Sequence, residues 1–245
     1  LRNLTKPWPE QHRSTHNSQA RHPAGRLEPL VTDKAGLKNA KAGKPILGLF
    51  ATGNVPVEWT GKAAAVGGTD AQRCVTSHPN RPATTPSLAD SATKAIQLLE
   101  AKQQPKHSNQ GFFLQIEVAS IDKQDHAADP CGQIGETAAF DRAVKVARAY
   151  AAKHPDTLVV TTADHGHTSQ IVPLEATPPG LSSTLVPNEG RQLKVNYSTN
   201  TPGQSQEHTG TQVRIAAQGP QAFRVLGVTD QTDLFTTIRE ALRLR

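Results

Sequence analysis

Short apolar runs alternate with amphipathic helical stretches along this 245-residue chain, and that alternation is what most narrows its fold. "GKPILGLFA" (43–51), "GFFLQIE" (111–117) and "DTLVVTTAD" (156–164) have the length and near-continuous apolar character of strands buried on both faces. Between the first two, "SLADSATKAIQLLEAK" (87–102) repeats Leu88, Ala92, Ala95, Leu98 and Leu99 at helical spacing behind Ser87 as an N-cap. "ETAAFDRAVKVARAYAAKH" (136–154) carries Phe140, Val144, Ala147 and Ala151 along one helical face. The order predicts an α/β fold with a mainly parallel central sheet flanked by helices. The Pro/Ser/Thr-rich stretch 173–190 reads as loop, after which "QLKVNYS", "TQVRIAAQG" and a closing helix, "DQTDLFTTIREALRLR", complete the chain.

Ligand-type side chains collect where these runs end. Glu117 closes "GFFLQIE", and the following "ASIDKQDHAADPCGQIGE" sets Asp122 and His126 one helical turn apart on the same side. In isolation that spacing is more often an acidic helix start with a surface histidine. However, Asp164 and His165 end another apolar run, and open α/β sheets gather ligands at the carboxyl ends of their strands. His208, in "SQEHTGTQ", precedes a further strand and can close the same site. Asp and His without cysteine suit an open zinc site, whereas Glu117 suits a hard ion such as magnesium. The count is Asp122, His126 and His208 for one zinc, with Asp164 and His165 for a second that still lacks ligands. Two such ions would clamp the attacking and leaving oxygens of an in-line phosphoryl displacement. Within the same stretch Asp125 and Asp129 read as solvent-facing and Glu136 as the start of the next helix.

Composition removes other classes. No apolar run reaches the ~20 residues of a membrane span, so no membrane partner is expected. The formal charge of +6 is scattered, and 4% aromatic residues give few platforms for stacking bases, so no nucleic-acid partner is expected either. The chain has no methionine, and residues 1–26 are polar and broken by Pro7, Pro9 and Pro23. They are expected to form a disordered basic leader on a fragment; the alternative is opportunistic metal binding by His12, His16 and His22. Cys74 and Cys131 lie 57 residues apart in loop-like sequence, as two free buried thiols or as a bridge that would contribute roughly 4 kcal/mol and require an oxidising compartment.

The stretches "GFFLQIEVASIDKQDHAADPCGQIGET", "TLVVTTADHGHTSQIV", "SQEHTGTQVRIAAQGP" and "VLGVTDQTDLF" closely resemble bacterial alkaline phosphatase, and similarity extends back to about Leu27. The resemblance covers most of this chain but the C-terminal half of a family member, so 27–245 is expected to be the C-terminal half of such a domain, with the sheet incomplete on its N-terminal side. It implies a zinc and magnesium phosphate monoesterase acting through a phosphoserine intermediate. Asp122, His126 and His208 would hold the first zinc, Asp164 and His165 an incomplete second, and Glu117 an incomplete magnesium site. Lys123 would reach toward phosphate, and His167 would orient a metal-binding carboxylate. Cys74 and Cys131 match a family disulfide, which implies a periplasmic or secreted protein. The expected partners are small phosphate monoesters, inorganic phosphate and a second copy in a homodimer.

Departures from the family pattern bear on activity. Val118 stands where the family usually has glycine, which raises the expectation of a disturbed backbone path beside Glu117. The family's nucleophilic serine, its aspartate bridging the second zinc and magnesium, its magnesium-binding threonine and its phosphate-clamping arginine have no matching positions. Asp90-Ser91-Ala92 copies the nucleophile tripeptide but sits in an amphipathic helix, so Ser91 is not expected to be the nucleophile. The chain alone is therefore expected to turn over little or nothing; the alternative is an inactive, truncated metal-binding pseudo-domain.

Overall fold

The computed structural model describes residues 30–102 and 111–244; the leader 1–26 lies outside them. The elements run β1 (Leu30–Val31), α1 (Lys34–Asn39), β2 (Leu47–Gly48), β3 (Ala65–Val66), α2 (Leu88–Lys102), α3 (Ala119–His126) and α4 (Pro130–Ala151). They continue β4 (Val159–Thr161), β5 (Gln170–Val172), β6 (Leu181–Leu185), β7 (Leu193–Tyr197), β8 (Ala216–Gln218), a 3-10 turn (Ala222–Val225) and α5 (Asp233–Ala241). Among the described residues no helix is long and apolar enough to cross a membrane.

Helices and strands are both present, but they do not alternate as expected: α2, α3 and α4 follow one another, then β4 to β8, and the sheets also correct the expectation of a mainly parallel one. Among the described residues β1 and β2 pair in parallel and Gln72 makes a single parallel bridge to Leu185; β3-β6-β7-β5 form a four-stranded antiparallel sheet, and β4 pairs antiparallel with β8. An apolar run reports burial and carries no information on which neighbour pairs with it or in which direction. The run 111–117 shows the difference. Its residues alternate between exposed and half-buried, yet it joins no ladder among the described residues.

The stretch 173–190, read as loop, contains β6. Its hydroxyls disguise it: Ser182 and Ser183 are buried, but Asn196 donates to Ser182 Oγ at 3.1 Å and Gln72 Nε2 to Ser183 Oγ at 3.0 Å. A buried hydroxyl is tolerated once it is hydrogen-bonded, so this strand needed no apolar pattern.

Helix α4 begins six residues before the expected Glu136. Asp129 is its N-cap, with Oδ1 accepting the Cys131 N–H at 3.1 Å and the Gly132 N–H at 3.0 Å, and Pro130 follows in the first turn. Proline lacks the N–H that a first turn leaves unpaired, so Asp-Pro is a strong start signal. Asp129 is therefore a cap and not a free surface charge. Asp129→Ala is expected to lower stability by about 1 kcal/mol in urea unfolding, and an unchanged midpoint would contradict the cap.

Small buried residues on α4, Ala139 and Ala143, let it lie close to α2, which buries Ala92 and Ile96. At its other end Cys131 joins Ala128, Leu185, Val195 and Tyr197 in one core that ties the α3–α4 junction to β6 and β7. Cys74 and Cys131 form a disulfide with Cα atoms 5.3 Å apart. Tyr197 is fully buried, and its hydroxyl donates to Gln133 Oε1 at 2.8 Å.

Candidate metal centre

Three segments meet at the site. Helix α3 supplies Asp122 and His126, the bend after β4 supplies Asp164, His165 and His167, and the segment after β7 supplies His208. The second and third are joined by a bridge between Gly166 and Thr209. A Cβ on Gly166 would run into Thr211 Cγ2 and Thr209 Oγ1, so the close approach calls for glycine.

Asp122 Oδ1 is the common point. The Nε2 atoms of His208, His167, His126 and His165 lie 3.0, 3.3, 3.5 and 3.9 Å from it. His208 Nε2 is also 3.1 Å from His126 Nε2. Zinc bonds of about 2.0–2.1 Å in a tetrahedron require ligand atoms roughly 3.3 Å apart. The three separations within the Asp122, His126 and His208 set bracket that edge, so these donors fit a zinc-sized ion.

The proton positions sort the imidazoles. His126 Nδ1 faces the carbonyl oxygen of Gln206, which only accepts, so Nδ1 carries the proton and Nε2 keeps its lone pair toward Asp122. His165 Nδ1 faces the Gly166 oxygen at 3.1 Å, with the same consequence. His167 is the reverse. Its Nδ1 accepts the Thr168 N–H at 2.9 Å, so the neutral ring bears its proton on Nε2 and offers Asp122 a donor. That buried Nε2 has no well-aligned partner at 3.3 Å. Burial first, then the neighbouring imidazoles, pushes His167 down to about 4, so the ring is neutral near pH 7.

Other residues singled out by sequence are placed differently. Asp164 is largely exposed and reaches His165 Nε2 with Oδ2 at 3.4 Å, so this pair stands together at the outer edge of the cluster. Glu117 is exposed at the end of the extended run and is not in the donor group of the described residues. Lys123 Nζ donates to Asn54 Oδ1 at 3.0 Å. Val118, directly after Glu117, takes φ −119° and ψ 65° and is the N-cap of α3 without a side-chain cap. Ser91 lies in the first turn of α2, where its neighbour Asp90 accepts from the Ser87 N–H and hydroxyl at 3.0 and 2.8 Å as the partner in a capping box.

Sequence reasoning missed two residues. Asp125, expected at the surface, is buried; its carboxyl is pushed up to about 6, chiefly by that burial. Gln206 is fully buried directly behind His126. Neither carries a sequence signal, since a charged or amide residue next to a ligand looks the same whether it faces water or the core.

The family model for alkaline phosphatase matches residues 2–189 and 183–244. Streptomycin-6-phosphate phosphatase of Streptomyces griseus is 55% identical over 217 residues, 88% of this chain and 48% of that protein. Alkaline phosphatase H of Pseudomonas aeruginosa is 49% identical over 94% of this chain and 48% of its own length. Alkaline phosphatase of Escherichia coli is 50% identical over 88% and 45%. The chain spans about half the length of these curated relatives.

Proposed function

The chain belongs to the alkaline phosphatase family, and from that premise we propose that it supplies the metal-binding side of a phosphate monoesterase. The observation that carries the reading is the convergence of Asp122 Oδ1, His126 Nε2 and His208 Nε2 at separations of 3.0–3.5 Å. These three are assigned to the first zinc, Asp164 and His165 to part of a second, and Glu117 to magnesium. His167 is assigned to orient a metal-binding carboxylate, a reading supported by its Nε2 lying 3.3 Å from Asp122 Oδ1. Bound zinc would supply Lewis-acid stabilisation of charge on phosphoryl and leaving-group oxygens.

The chain's own residues prepare for that charge. Asp122 supplies the anionic donor, and the Gln206 and Gly166 carbonyl oxygens hold His126 and His165 with their lone pairs turned inward. Lys123 lies one residue along α3 from Asp122 and would have to leave Asn54 to meet a phosphate oxygen. The substrates proposed are small phosphate monoesters, with inorganic phosphate as product and a homodimer as the assembly. The Cys74–Cys131 disulfide supports a periplasmic or secreted location. Residues 27–245 are proposed as the C-terminal half of the family's domain.

Residues 1–245 alone, in which Ser91 is not assigned as a nucleophile, are expected to bind zinc and gain melting temperature while hydrolysing p-nitrophenyl phosphate only at background. Calorimetric zinc titration and a zinc-supplemented assay test both parts. Absence of zinc binding would refute the metal assignment. Turnover that survives Ser91→Ala and disappears with His208→Ala would refute the claim that the chain alone is inert.

A further inference from the structure

The three donor-bearing segments are distant in sequence, and one buried side chain stands where they meet. Gln206 is 0% exposed. Its Oε1 accepts the Thr199 N–H at 3.1 Å and the Asn200 N–H at 3.3 Å, at the end of β7. The Thr168 hydroxyl, next to His167, reaches the same oxygen at 3.5 Å. Its Nε2 donates to the Asn200 oxygen at 3.4 Å. The backbone of the same residue grips α3 twice: its N–H donates to the His126 carbonyl at 2.9 Å, and its own carbonyl accepts His126 Nδ1–H. Two residues further on, His208 enters the donor group, and the intervening Glu207 N–H is held by Thr199 Oγ1 at 2.8 Å.

We infer that the Gln206 side chain is a positioning residue for the metal donors, an inference that rests on the metal-binding reading. By satisfying the two amides at the end of β7 it fixes its own backbone. That backbone then dictates which nitrogen of His126 carries the proton and how far His208 stands from Asp122. A buried amide at this point is costly unless its polar atoms are paired, so the network tolerates few alternative arrangements. The residue touches no ion and no substrate; it acts through His126 and His208.

The test compares the full chain with Gln206→Leu, Gln206→Asn and Gln206→Glu by two measurements. The first is the 15N spectrum of the His126 ring without metal, and the second is a Co2+ titration followed by visible absorption. In the parent chain His126 is expected to hold its proton on Nδ1. Gln206→Leu fills the space without an acceptor, and Gln206→Asn is one methylene too short to reach Thr199 and Asn200. Both are expected to mix the two tautomers and weaken Co2+ binding by roughly 10- to 100-fold, the usual cost of losing an outer partner. Gln206→Glu keeps the acceptor for Thr199 and Asn200 but gives up the donor to the Asn200 oxygen, so it is expected to retain the parent tautomer and to lose clearly less affinity than the Leu variant.

If Leu or Asn leaves both readouts unchanged, or if Leu rescues as well as Glu, the side chain only fills space and the inference fails. Should Gln206→Leu not fold, the Asn and Glu variants make the same comparison. A parent chain that takes up no Co2+ would remove the metal reading, while the tautomer spectra would still decide whether Gln206 positions His126.

Discussion

Asp122→Ala is expected to weaken zinc binding by at least about 100-fold, exceeding the 10- to 100-fold cost of losing an outer partner. The carboxylate oxygen is the one atom near which four imidazole nitrogens gather, at 3.0–3.9 Å. It is also the anionic member of the donor group formed with His126, His167 and His208. Without it the group that gathers His126, His167 and His208 has no carboxylate donor, and His167 Nε2–H would point its positive end into the site. Asp122→Asn keeps the shape and removes the charge, so it is expected to fall between parent and Ala. Competition against a chromophoric chelator measures all three. Affinity of the Ala variant within tenfold of the parent would move the metal elsewhere.

The second large effect concerns the frame. Cys74→Ala combined with Cys131→Ala is expected to remove about 4 kcal/mol of stability, because an open 57-residue loop enlarges the unfolded ensemble. With a total stability of about 5–15 kcal/mol for a typical domain, that is a large fraction. At roughly 2 kcal/mol per molar, the urea midpoint should fall by about 2 M. Cys131 also belongs to the core with Ala128, Leu185, Val195 and Tyr197, so the alanine leaves a small void there. Reducing agent should lower the parent midpoint in the same direction. A shift under about 0.5 M in the double variant would show that the bridge closes a loop already held by other contacts.

How much of this was legible in sequence depends on what kind of information each residue carries. Asp122 and His126 were readable because helical periodicity alone puts them together, and α3 is a helix across both. His208 carried only a weak signal, its place in a polar loop before a strand; that it stands with them, 86 residues away from Asp122, is a tertiary fact to which family resemblance added weight. His165 and His167 carried a readable hint, since residues on either side of an extended position share a face and Gly166 is bridged to Thr209. Asp129 is legible as an N-cap before Pro130, a signal that the apolar period, clear only from Glu136 onward, does not carry. The sheet directions were not legible. Apolar runs report burial, whereas pairing is settled by which strands meet, and β6 with its two buried serines shows that even burial can be invisible when hydroxyls find partners.

The contact between Thr168 and Gln206 has a consequence for how the chain can be altered in length. The path that leaves the site at Thr168 runs through β5, β6 and β7 and returns to the same point at Gln206, with 3.5 Å between the two side-chain oxygens. Geometrically it is a loop with its neck tied. Its far turn, between β6 and β7, contains the exposed residues Asn188 and Glu189 and a glycine at a φ of +82°, Gly190. Each doubling of a flexible loop costs only about 0.6 kcal/mol in closure entropy. Residues added at that turn therefore spend their freedom beyond the knot, and the donors on either side of it keep their spacing. The structure thus separates a part of the chain that can be lengthened, or opened to new termini, from the part in which a single displaced residue is felt at Asp122.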